Sequence, residues 1–326
     1  MCKKLVLKAM LVVVCAAACH SSPSAQKKRN QSARPAASAD TGGAPVAAVT
    51  PVLLATLEDR AVRESSGLAA SRNNPGVFWT HNDSGDGPFV YAFDREGRAR
   101  GVWRVEGASA RDWEDIARGP GPESGRSYLY AGDIGDNEGK RDNIVVYRFA
   151  EPIVELSDDA KSGRKNARST APAEAIRLKY PDGPRDAEAL MVHPASGDIY
   201  IVTKGGGEAG VYKLSAPASA SEVSTLTRVA TLRGPGFFGS LITGGDISPD
   251  GLRVALCDYA SGYELRLPGA PAQSFDDVWK QTPLVISLGA RRQGEAVGYR
   301  HDGAALLATS EGLPTPLIEV MLPAAR

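Results

Sequence analysis

Two short loops carry the side chains best suited to holding a cation. Residues 81–87 read HNDSGDG and residues 132–139 read GDIGDNEG. Both place Asp and Asn between glycines, which lets the backbone curl until several oxygens face one point. Such oxygens are the ligands that Ca²⁺ and Mg²⁺ prefer, although neither loop has the spacing of an EF-hand. Two interpretations of the loops therefore stand side by side: the residues form Asx-turns that cap hairpins, or they hold a cation.

Both loops belong to hairpin units that repeat along the chain. The units span 66–83, 114–133, 188–204, 245–258 and 295–311, and their starts are 48, 74, 57 and 50 residues apart. Each is an apolar strand, a turn with Gly or Pro, and a second strand ending on a polar residue. Further strand-like runs, such as GVYKLS and TRVATLRG, follow some units. Four strands at this period are typical of a β-propeller blade, whereas a β-sandwich does not predict repeated hairpins.

The spacing therefore predicts an all-β fold, a five-bladed propeller from about residue 52 to 322. A sixth, eroded blade in the long second interval is the alternative. The polar run 157–170 in that interval reads instead as an insertion. Residues 51–60, PVLLATLEDR, are expected to supply the outer strand of the last blade and so close the ring without an exposed edge.

Hairpin geometry places the start of each first strand and the end of each second strand at one end of the ring. The first strands start at Ser66, Glu114, Glu188, Gly245 and Glu295, with Asp112, Asp115, Asp186 and Asp246 alongside. The second strands end at Asn82, Asp133, Lys204, Asp258 and Glu311, with Asp83 nearby. The clustered carboxylates need a cation, a basic partner or raised pKa values. His81 lies beside this cluster, whereas His193 and His301 are expected in turns at the opposite end.

The N-terminal segment reads as an export signal. Basic residues precede a short apolar stretch, and the small residues 16–18 stand directly before Cys19. This pattern resembles a bacterial lipoprotein signal, which implies cleavage after residue 18 and lipidation of Cys19; an ordinary secretory signal is the alternative. We expect a disordered tether over 19–51, a propeller over 52–326, and a lipid-anchored location in the bacterial cell envelope, outside the cytoplasm.

The composition argues against nucleic acid as a partner and against an internal disulfide. The 326 residues include 38 basic and 38 acidic side chains, so the formal net charge of zero gives no global attraction to nucleic acid. If the predicted signal is removed and Cys19 is lipidated, Cys257 is the one thiol left, and an internal disulfide is not expected. Cys257 lies in the apolar run RVALCDY, which predicts a buried packing role.

Five motifs together resemble a family of bacterial exported β-propeller proteins without an assigned activity. They are SSGLAAS, WTHNDSGDG, DWEDIA, GDIGDN and DAEALMVHP. More distantly the chain is similar to calcium-dependent propeller phosphatases of the phytase type and their esterase-like relatives, although the strong phytase motif is absent. That resemblance implies Ca²⁺ as cofactor, held by Asp83, Glu114, Asp133, Glu188 and Glu295. It also implies that Lys204, with Arg141 or Arg185, contacts an anionic substrate.

Three functions are compatible with this site. The favoured one is a binding module for a protein, a glycan or an anionic small molecule, with exposed aromatics such as Trp79, Trp103, Trp113, Phe237 and Phe238 in the contact. The alternatives are a Ca²⁺-dependent phosphoester or ester hydrolase, and a glycosidase that uses two channel carboxylates. The predicted substrate-binding set adds His81, Asn82, Asp258 and Glu311 at the mouth of the channel.

Overall fold

The computed structural model describes residues 45–83, 85–155, 163–233, 241–268 and 274–323. The predicted signal, Cys19, Phe237 and Phe238 lie outside these ranges. The described chain is almost entirely β-strand, with two short 3₁₀ segments, Arg164–Asn166 and Phe275–Lys280. In the same ranges, no helix has the length and apolar character needed to cross a membrane.

The strands form five sheets, here called blades 1 to 5 in chain order. The first strand of the chain, β1 (Val52–Thr56), belongs to blade 5. Blade 1 contains β2 (Ser65–Ala70), β3 (Val77–Asn82), β4 (Phe89–Asp94), β5 (Ala99–Arg104) and the short β9 (Arg168–Ser169). Blade 2 contains β6 (Trp113–Pro120), β7 (Ser127–Asp133), β8 (Ile144–Ala150), β10 (Glu174–Lys179) and β14 (Val223–Thr225).

The remaining blades have four strands each. Blade 3 contains β11 (Ala187–Val192), β12 (Ile199–Thr203), β13 (Ala209–Leu214) and β15 (Thr227–Leu232). Blade 4 contains β16 (Gly244–Ile247), β17 (Arg253–Cys257), β18 (Ser261–Arg266) and β19 (Leu284–Ser287). Blade 5 contains β20 (Ala296–Tyr299), β21 (Ala305–Thr309), β22 (Pro316–Met321) and β1.

The first strands of the five blades contact one another in a ring. β2 contacts β6 and β20, β11 contacts β6 and β16, and β16 contacts β20. The chain closes this ring through β1, which pairs antiparallel with β22 from Val52 opposite Glu319 to Thr56 opposite Pro316. The predicted five-bladed propeller and its closure by the N-terminal strand are therefore confirmed.

The expected insertion lies between β8 and β10. Its described part, from Gly163 onward, contains a 3₁₀ segment followed by β9. Strand β9 pairs parallel with the outer strand of blade 1, with Trp103 opposite Arg168 and Arg104 opposite Ser169. A connection within blade 2 thus adds a strand to blade 1 and covers its edge.

Three of the aromatic side chains expected at an exposed contact surface are buried, so the prediction is wrong for these three. Trp79, Trp103 and Trp113 are at most 3% exposed. The rings of Trp79 and Trp103 meet edge to face, with centroids 5.1 Å apart. All three belong to one core cluster between blades 1 and 2. Each blade is covered on both faces by its neighbours, so a large aromatic on either face of a strand is removed from water.

Two aspartates join the blades at the ring axis. Asp115 of blade 2 accepts the N–H of Ile116 at 2.8 Å, of Leu190 in blade 3 at 2.9 Å, and of Gly245 in blade 4 at 3.2 Å. Asp246 of blade 4 accepts the N–H of Ile247 and, at 2.8 Å, that of Tyr299 in blade 5. These carboxylates satisfy amides of neighbouring blades and so set the spacing of the ring.

Candidate functional site at the acidic mouth of the channel

Irregular strand pairing aims two glutamates at one end of the channel. In blade 2, Trp113 pairs with Asp133 and the next registered pair is Asp115 with Gly132, which leaves Glu114 unpaired. In blade 3, Glu188 is skipped in the same way between Ala187 and Ala189. A bulge of this kind bends the strand and redirects the side chain of the extra residue.

The bulge at Glu114 is fixed by the neighbouring blade. The Ser66 hydroxyl of blade 1 donates to the Glu114 carbonyl oxygen. Glu295 has the corresponding place in blade 5, because it directly precedes β20, whose first residue Ala296 pairs with Thr309. Three blades therefore present a glutamate at the same end of the ring, as the repeat predicts.

Five carboxylates meet at this end. Oxygens of Asp83, Asp112 and Glu114 lie within 4.8 Å of one another, and so do oxygens of Asp83, Glu295 and Glu311. Asp83 belongs to both groups and links them. We call these five residues the acidic cluster, and the end of the channel that they occupy the acidic mouth. Either group has the oxygen donors and the spacing to hold a metal ion.

A glycine makes room for the first group. A Cβ on Gly135 would stand 2.1 Å from Glu114 Oε1 and 2.5 Å from Asp112 Oδ2. The Gly135 N–H also donates to the Asp112 carbonyl oxygen at 3.2 Å. The glycine of the GDIGDN motif is therefore needed because two carboxylates approach its backbone.

Several carboxyl groups at the acidic mouth have raised pKa values. Burial, followed by the charges of Asp83 and Glu188, raises the pKa of Glu114 to about 12. Burial, followed by the hydrogen bond and the charge of Glu311, raises the pKa of Glu295 to about 8. Burial also raises the pKa of Asp112. Each shift means that the ionised form lacks the solvation or counter-charge that it would have in water.

Lys204 supplies a positive charge at the acidic mouth. Its ammonium pairs with Glu188 and lies 5.2 Å from the centre of the Tyr259 ring. Burial lowers the pKa of Lys204, but Glu188 outweighs that effect and the net shift is upward. Burial raises the pKa of Glu188 to about 8 even though Lys204 acts against it. Lys204 therefore stays charged and compensates part of the acidic mouth.

Asp133 and Arg141, predicted as a metal ligand and a substrate contact, form a buried ion pair with each other. Their side chains are 3% and 5% exposed, and Arg141 Nη1 lies 2.7 Å from Asp133 Oδ1. Asp133 also accepts the N–H of Arg111 at 3.1 Å and of Asp112 at 3.3 Å. This pair is thus placed outside the acidic cluster, where it holds the segment that carries Asp112.

Asn82 organises the loop beside Asp83. Its Oδ1 accepts the N–H of Arg63 at 2.8 Å and of Glu64 at 2.9 Å, and its Nδ2 donates to Asp86 Oδ2 at 2.9 Å. The Asp83 N–H in turn donates to the Glu64 carbonyl oxygen at 2.9 Å. The amide of Asn82 therefore fixes the backbone that presents Asp83 through contacts with the earlier segment at Arg63 and Glu64.

His81 and Asp258 also have local partners. His81 is fully buried, and burial lowers its pKa to about 4, so the ring is neutral. Its Nδ1 lies 2.8 Å from the Asn82 carbonyl oxygen. Asp258 accepts the N–H of Ala260 at 2.8 Å and of Ser261 at 2.7 Å. The structure places these side chains in turns and packing contacts near the mouth.

Arg185 lies at the rim of the mouth in a cavity of about 350 Å³ that Lys204 also lines. Its guanidinium pairs with Asp182 at 3.0 Å, and its side chain is 43% exposed. Asp186 lines the same cavity, and its Oδ1 accepts the Asp136 N–H at 2.8 Å. The cavity brings two of the predicted substrate-contacting cations together; its lining also holds the carboxylates of Asp136, Glu138, Asp186 and Glu208, and no residue of the acidic cluster.

Some residues of the site are absent from the predicted ligand and substrate sets. The sequence pattern places Asp112 among the flanking acids only, and its spacing from Glu114 in DWE is the one local indication of its role. Gln293 donates to Glu295 Oε1 at 2.7 Å, and Tyr259 faces Lys204 from another blade. The Lys204–Tyr259 contact joins two blades, and a contact of this kind leaves no pattern in the sequence of either partner.

Comparisons with known proteins identify no family for this chain. No family model matches the chain, and no curated protein matches it. Among solved structures, the chain is similar to the WD40 domain of Pan2 from Neurospora crassa, at 9% identity and a TM-score of 0.43. The match covers 85% of this chain and 97% of that domain. At this level of similarity no ligand is inferred, and the propeller architecture follows from the five sheets themselves.

Proposed function

We propose that this chain is a ligand-binding β-propeller whose acidic mouth holds Ca²⁺. The observation that carries the proposal is the shared position of Asp83, whose carboxylate lies within 4.8 Å of ligand oxygens of Asp112 and Glu114 and of Glu295 and Glu311. These residues come from blades 1, 2 and 5 and from the segments that precede or follow their strands.

The negative charge of the acidic cluster favours the binding of a divalent cation. Burial raises the pKa of Glu114 and of Glu295, because their ionised forms lack a sufficient counter-charge. A bound Ca²⁺ would supply that charge and favour the ionised carboxylates. Calcium takes six to eight oxygens in flexible geometry, which suits carboxylates gathered from several loops better than the strict octahedron of Mg²⁺ does.

The ligand that fits beside such a cation carries a negative group. Lys204, which pairs with Glu188 at the acidic mouth, shares the 350 Å³ cavity with Arg185. A cation at the cluster and these two side chains would present positive charge to one ligand from two sides. A propeller with this arrangement acts as a binding module for an anionic small molecule, glycan or protein segment.

The alternative is Ca²⁺-dependent hydrolysis of a phosphoester or an ester at the same mouth. The charged Lys204 beside Glu188 favours it, since a metal and an ammonium together can stabilise developing negative charge. Turnover of p-nitrophenyl phosphate or p-nitrophenyl acetate that requires Ca²⁺ and is lost in Lys204→Met would support the hydrolase. Ca²⁺ binding without turnover of either ester supports the binding module.

We also propose that lipidated Cys19 holds the domain in the bacterial envelope. The support is the sequence before it, in which basic residues, an apolar stretch and residues 16–18 precede the cysteine. Metabolic labelling with a fatty acid, lost in Cys19→Ser, would test the anchor independently of the metal.

Calorimetric titration with Ca²⁺ tests the metal site. The chain without residues 1–18 and carrying Cys19→Ser is the reference, and Asp83→Asn is compared with Glu222→Gln, which changes an exposed glutamate in a distant turn. We expect the reference and Glu222→Gln to bind equally, and Asp83→Asn to bind at least about tenfold more weakly, since one ligand change is worth about 1.4 kcal/mol or more. Absence of Ca²⁺ binding to the reference contradicts the proposal.

A further inference from the structure

The channel has a second mouth, at the end opposite the acidic cluster. A cavity of about 280 Å³ lies there. All five blades contribute to its lining, through Ala70, Ser71 and Arg72 of blade 1, Arg118 of blade 2, Pro194 of blade 3, Pro249 of blade 4 and His301 of blade 5. These residues lie at or just beyond the ends of the first strands, whereas the acidic cluster lies around their starts.

The charge of this lining is opposite to that of the acidic mouth. It contains two guanidinium groups and one imidazole, and none of its residues is a carboxylate. Nearby arginines at this end are paired: Arg253 with Asp250 at 3.0 Å, and Arg300 with Asp302 at 2.7 Å. We call Arg72, Arg118 and His301 the basic mouth.

The guanidinium groups of the basic mouth are available to a ligand. Arg118 projects from β6 and is partly exposed, and Arg72 and His301 are exposed. Within the described residues, neither guanidinium makes a hydrogen bond or an ion pair. The Arg72 N–H is held by the Glu151 carboxylate at 3.2 Å, which fixes the backbone of this residue while its side chain stays unpaired.

Asp246 is the acidic group deeper in the channel that acts on this site. Burial raises the pKa of Asp246 to about 7, against the Tyr299 N–H and the charge of Arg118. The charge of Arg118 therefore acts on the Asp246 carboxylate, although these two side chains do not form an ion pair. The two N–H groups that the Asp246 carboxylate accepts, from Ile247 and Tyr299, moderate its repulsion of a second anion.

We propose that the basic mouth binds a small phosphate-type oxyanion, independently of the cation and ligand at the acidic mouth. Guanidinium forks match the paired oxygens of phosphate and bind them through charge-assisted hydrogen bonds. Two arginines and a histidine from three blades converge on a volume that accommodates a free phosphate or a small phosphomonoester. The channel thus offers sites of opposite charge at its two ends.

Titration calorimetry with inorganic phosphate tests this site in Ca²⁺-free buffer of low ionic strength. The variants are Arg118→Gln and Arg72→Gln; the control is Arg177→Gln, which removes an exposed arginine on β10. We expect the unchanged chain and Arg177→Gln to bind equally, and each mouth variant to lose at least about tenfold in affinity. Because Arg72 is exposed, its variant reports on binding even if Arg118→Gln folds poorly.

Several results would overturn the proposal. They are no phosphate binding to the unchanged chain, equal binding by all variants, and loss of binding in Lys204→Met but not in Arg118→Gln. Binding of sn-glycerol 3-phosphate at the same affinity supports a small-anion site. Binding confined to vesicles that contain phosphatidic acid contradicts it. Loss of Ca²⁺ binding in Asp83→Asn leaves these outcomes unchanged, so this proposal and the proposed function fail separately.

Discussion

Glu114 and Asp115 are neighbours in sequence, yet their carboxylates have opposite surroundings. Asp115 accepts three backbone N–H groups from three blades. Glu114 faces Asp83 and Asp112 across the acidic mouth. Both are buried and both have raised pKa values, chiefly because of burial. The difference shows that burial of a carboxylate does not by itself identify a ligand site. The partners of its oxygens identify it, and the partners of Asp115 are backbone N–H groups that hold the blades together.

The largest effect is expected from Asp115→Ala. Removing this carboxylate leaves the N–H groups of Leu190 and Gly245 buried without their acceptor. We expect a loss of about 3–5 kcal/mol in the free energy of unfolding, since each unsatisfied buried donor costs about 1–3 kcal/mol. Urea denaturation measures it, with Asp112→Ala as the control in the acidic mouth. Equal stability of the two variants would show that the carboxylate at the ring axis contributes no more to stability than the carboxylate at the acidic mouth.

The pH dependence of stability should sharpen the comparison. Burial raises the pKa values of Glu188 and Glu295 from 4.5 to about 8, so between these pH values the folded chain holds protons that the unfolded chain has released. The Ca²⁺-free protein is therefore expected to lose stability as pH rises from about 5 to 8. The ideal limit is about 1.4 kcal/mol per pH unit per group. We expect about 2 kcal/mol in total because Lys204 and solvent compensate.

Thermal melts at several pH values, with and without Ca²⁺, measure this dependence. Ca²⁺ should restore stability most at the high end of the range, because the cation then meets ionised carboxylates. A glutamine double variant of Glu188 and Glu295 should flatten the profile. A profile that rises with pH in the Ca²⁺-free protein would show that these carboxylates are already compensated.

A smaller effect is expected from Glu114→Gln. The neutral amide avoids the cost of keeping a buried carboxyl group protonated, so the Ca²⁺-free variant should be more stable by about 1 kcal/mol. The same variant should no longer gain stability from added Ca²⁺. Differential scanning calorimetry in EDTA and in Ca²⁺ gives both quantities. A variant that is less stable in EDTA and still responds to Ca²⁺ would show that Glu114 has a structural role, like the carboxylates at the ring axis.

The smallest change in stability is expected from Gly135→Ala. The added methyl group would stand 2.1 Å from Glu114 Oε1 and 2.5 Å from Asp112 Oδ2, so these side chains must move apart. We expect about a tenfold loss of Ca²⁺ affinity with less than about 1 kcal/mol of destabilisation, because the atoms that must move are the ends of side chains and not backbone. Gly206→Ala, where a Cβ meets nothing within 4 Å, is the matched control.

Much of the fold could be predicted from the sequence because each blade repeats one hairpin pattern. The starts of the first strands are enough to predict Glu114, Glu188 and Glu295 at one end of the ring. The same pattern could not separate Asp83, which joins the acidic cluster, from Asp133, which binds Arg141. Both follow or end a second strand and have the same side chain; the difference lies in partners brought by other segments.

The burial of the tryptophans could not be predicted for a related physical reason. Trp79 lies on a strand whose two faces are both covered, so alternation along the strand does not separate a core face from a solvent face. Its indole N–H donates to Glu151, which lies 72 residues away in the chain, at 3.0 Å. Nothing local to either residue indicates this pair.

Pairing of β1 with β22 has a consequence for how the chain reaches its native state. Val52 and Glu319 are opposite each other in blade 5, although almost the whole domain separates them in sequence. The strands of blades 1 to 4 all lie between these two in sequence, so none of these blades needs the N-terminal strand β1. Blade 5 is complete only when the last strand pairs with the first. Among the described strand pairs this one spans the longest stretch of sequence, and its loop-closure entropy sets the closure of the ring apart from the local formation of each hairpin.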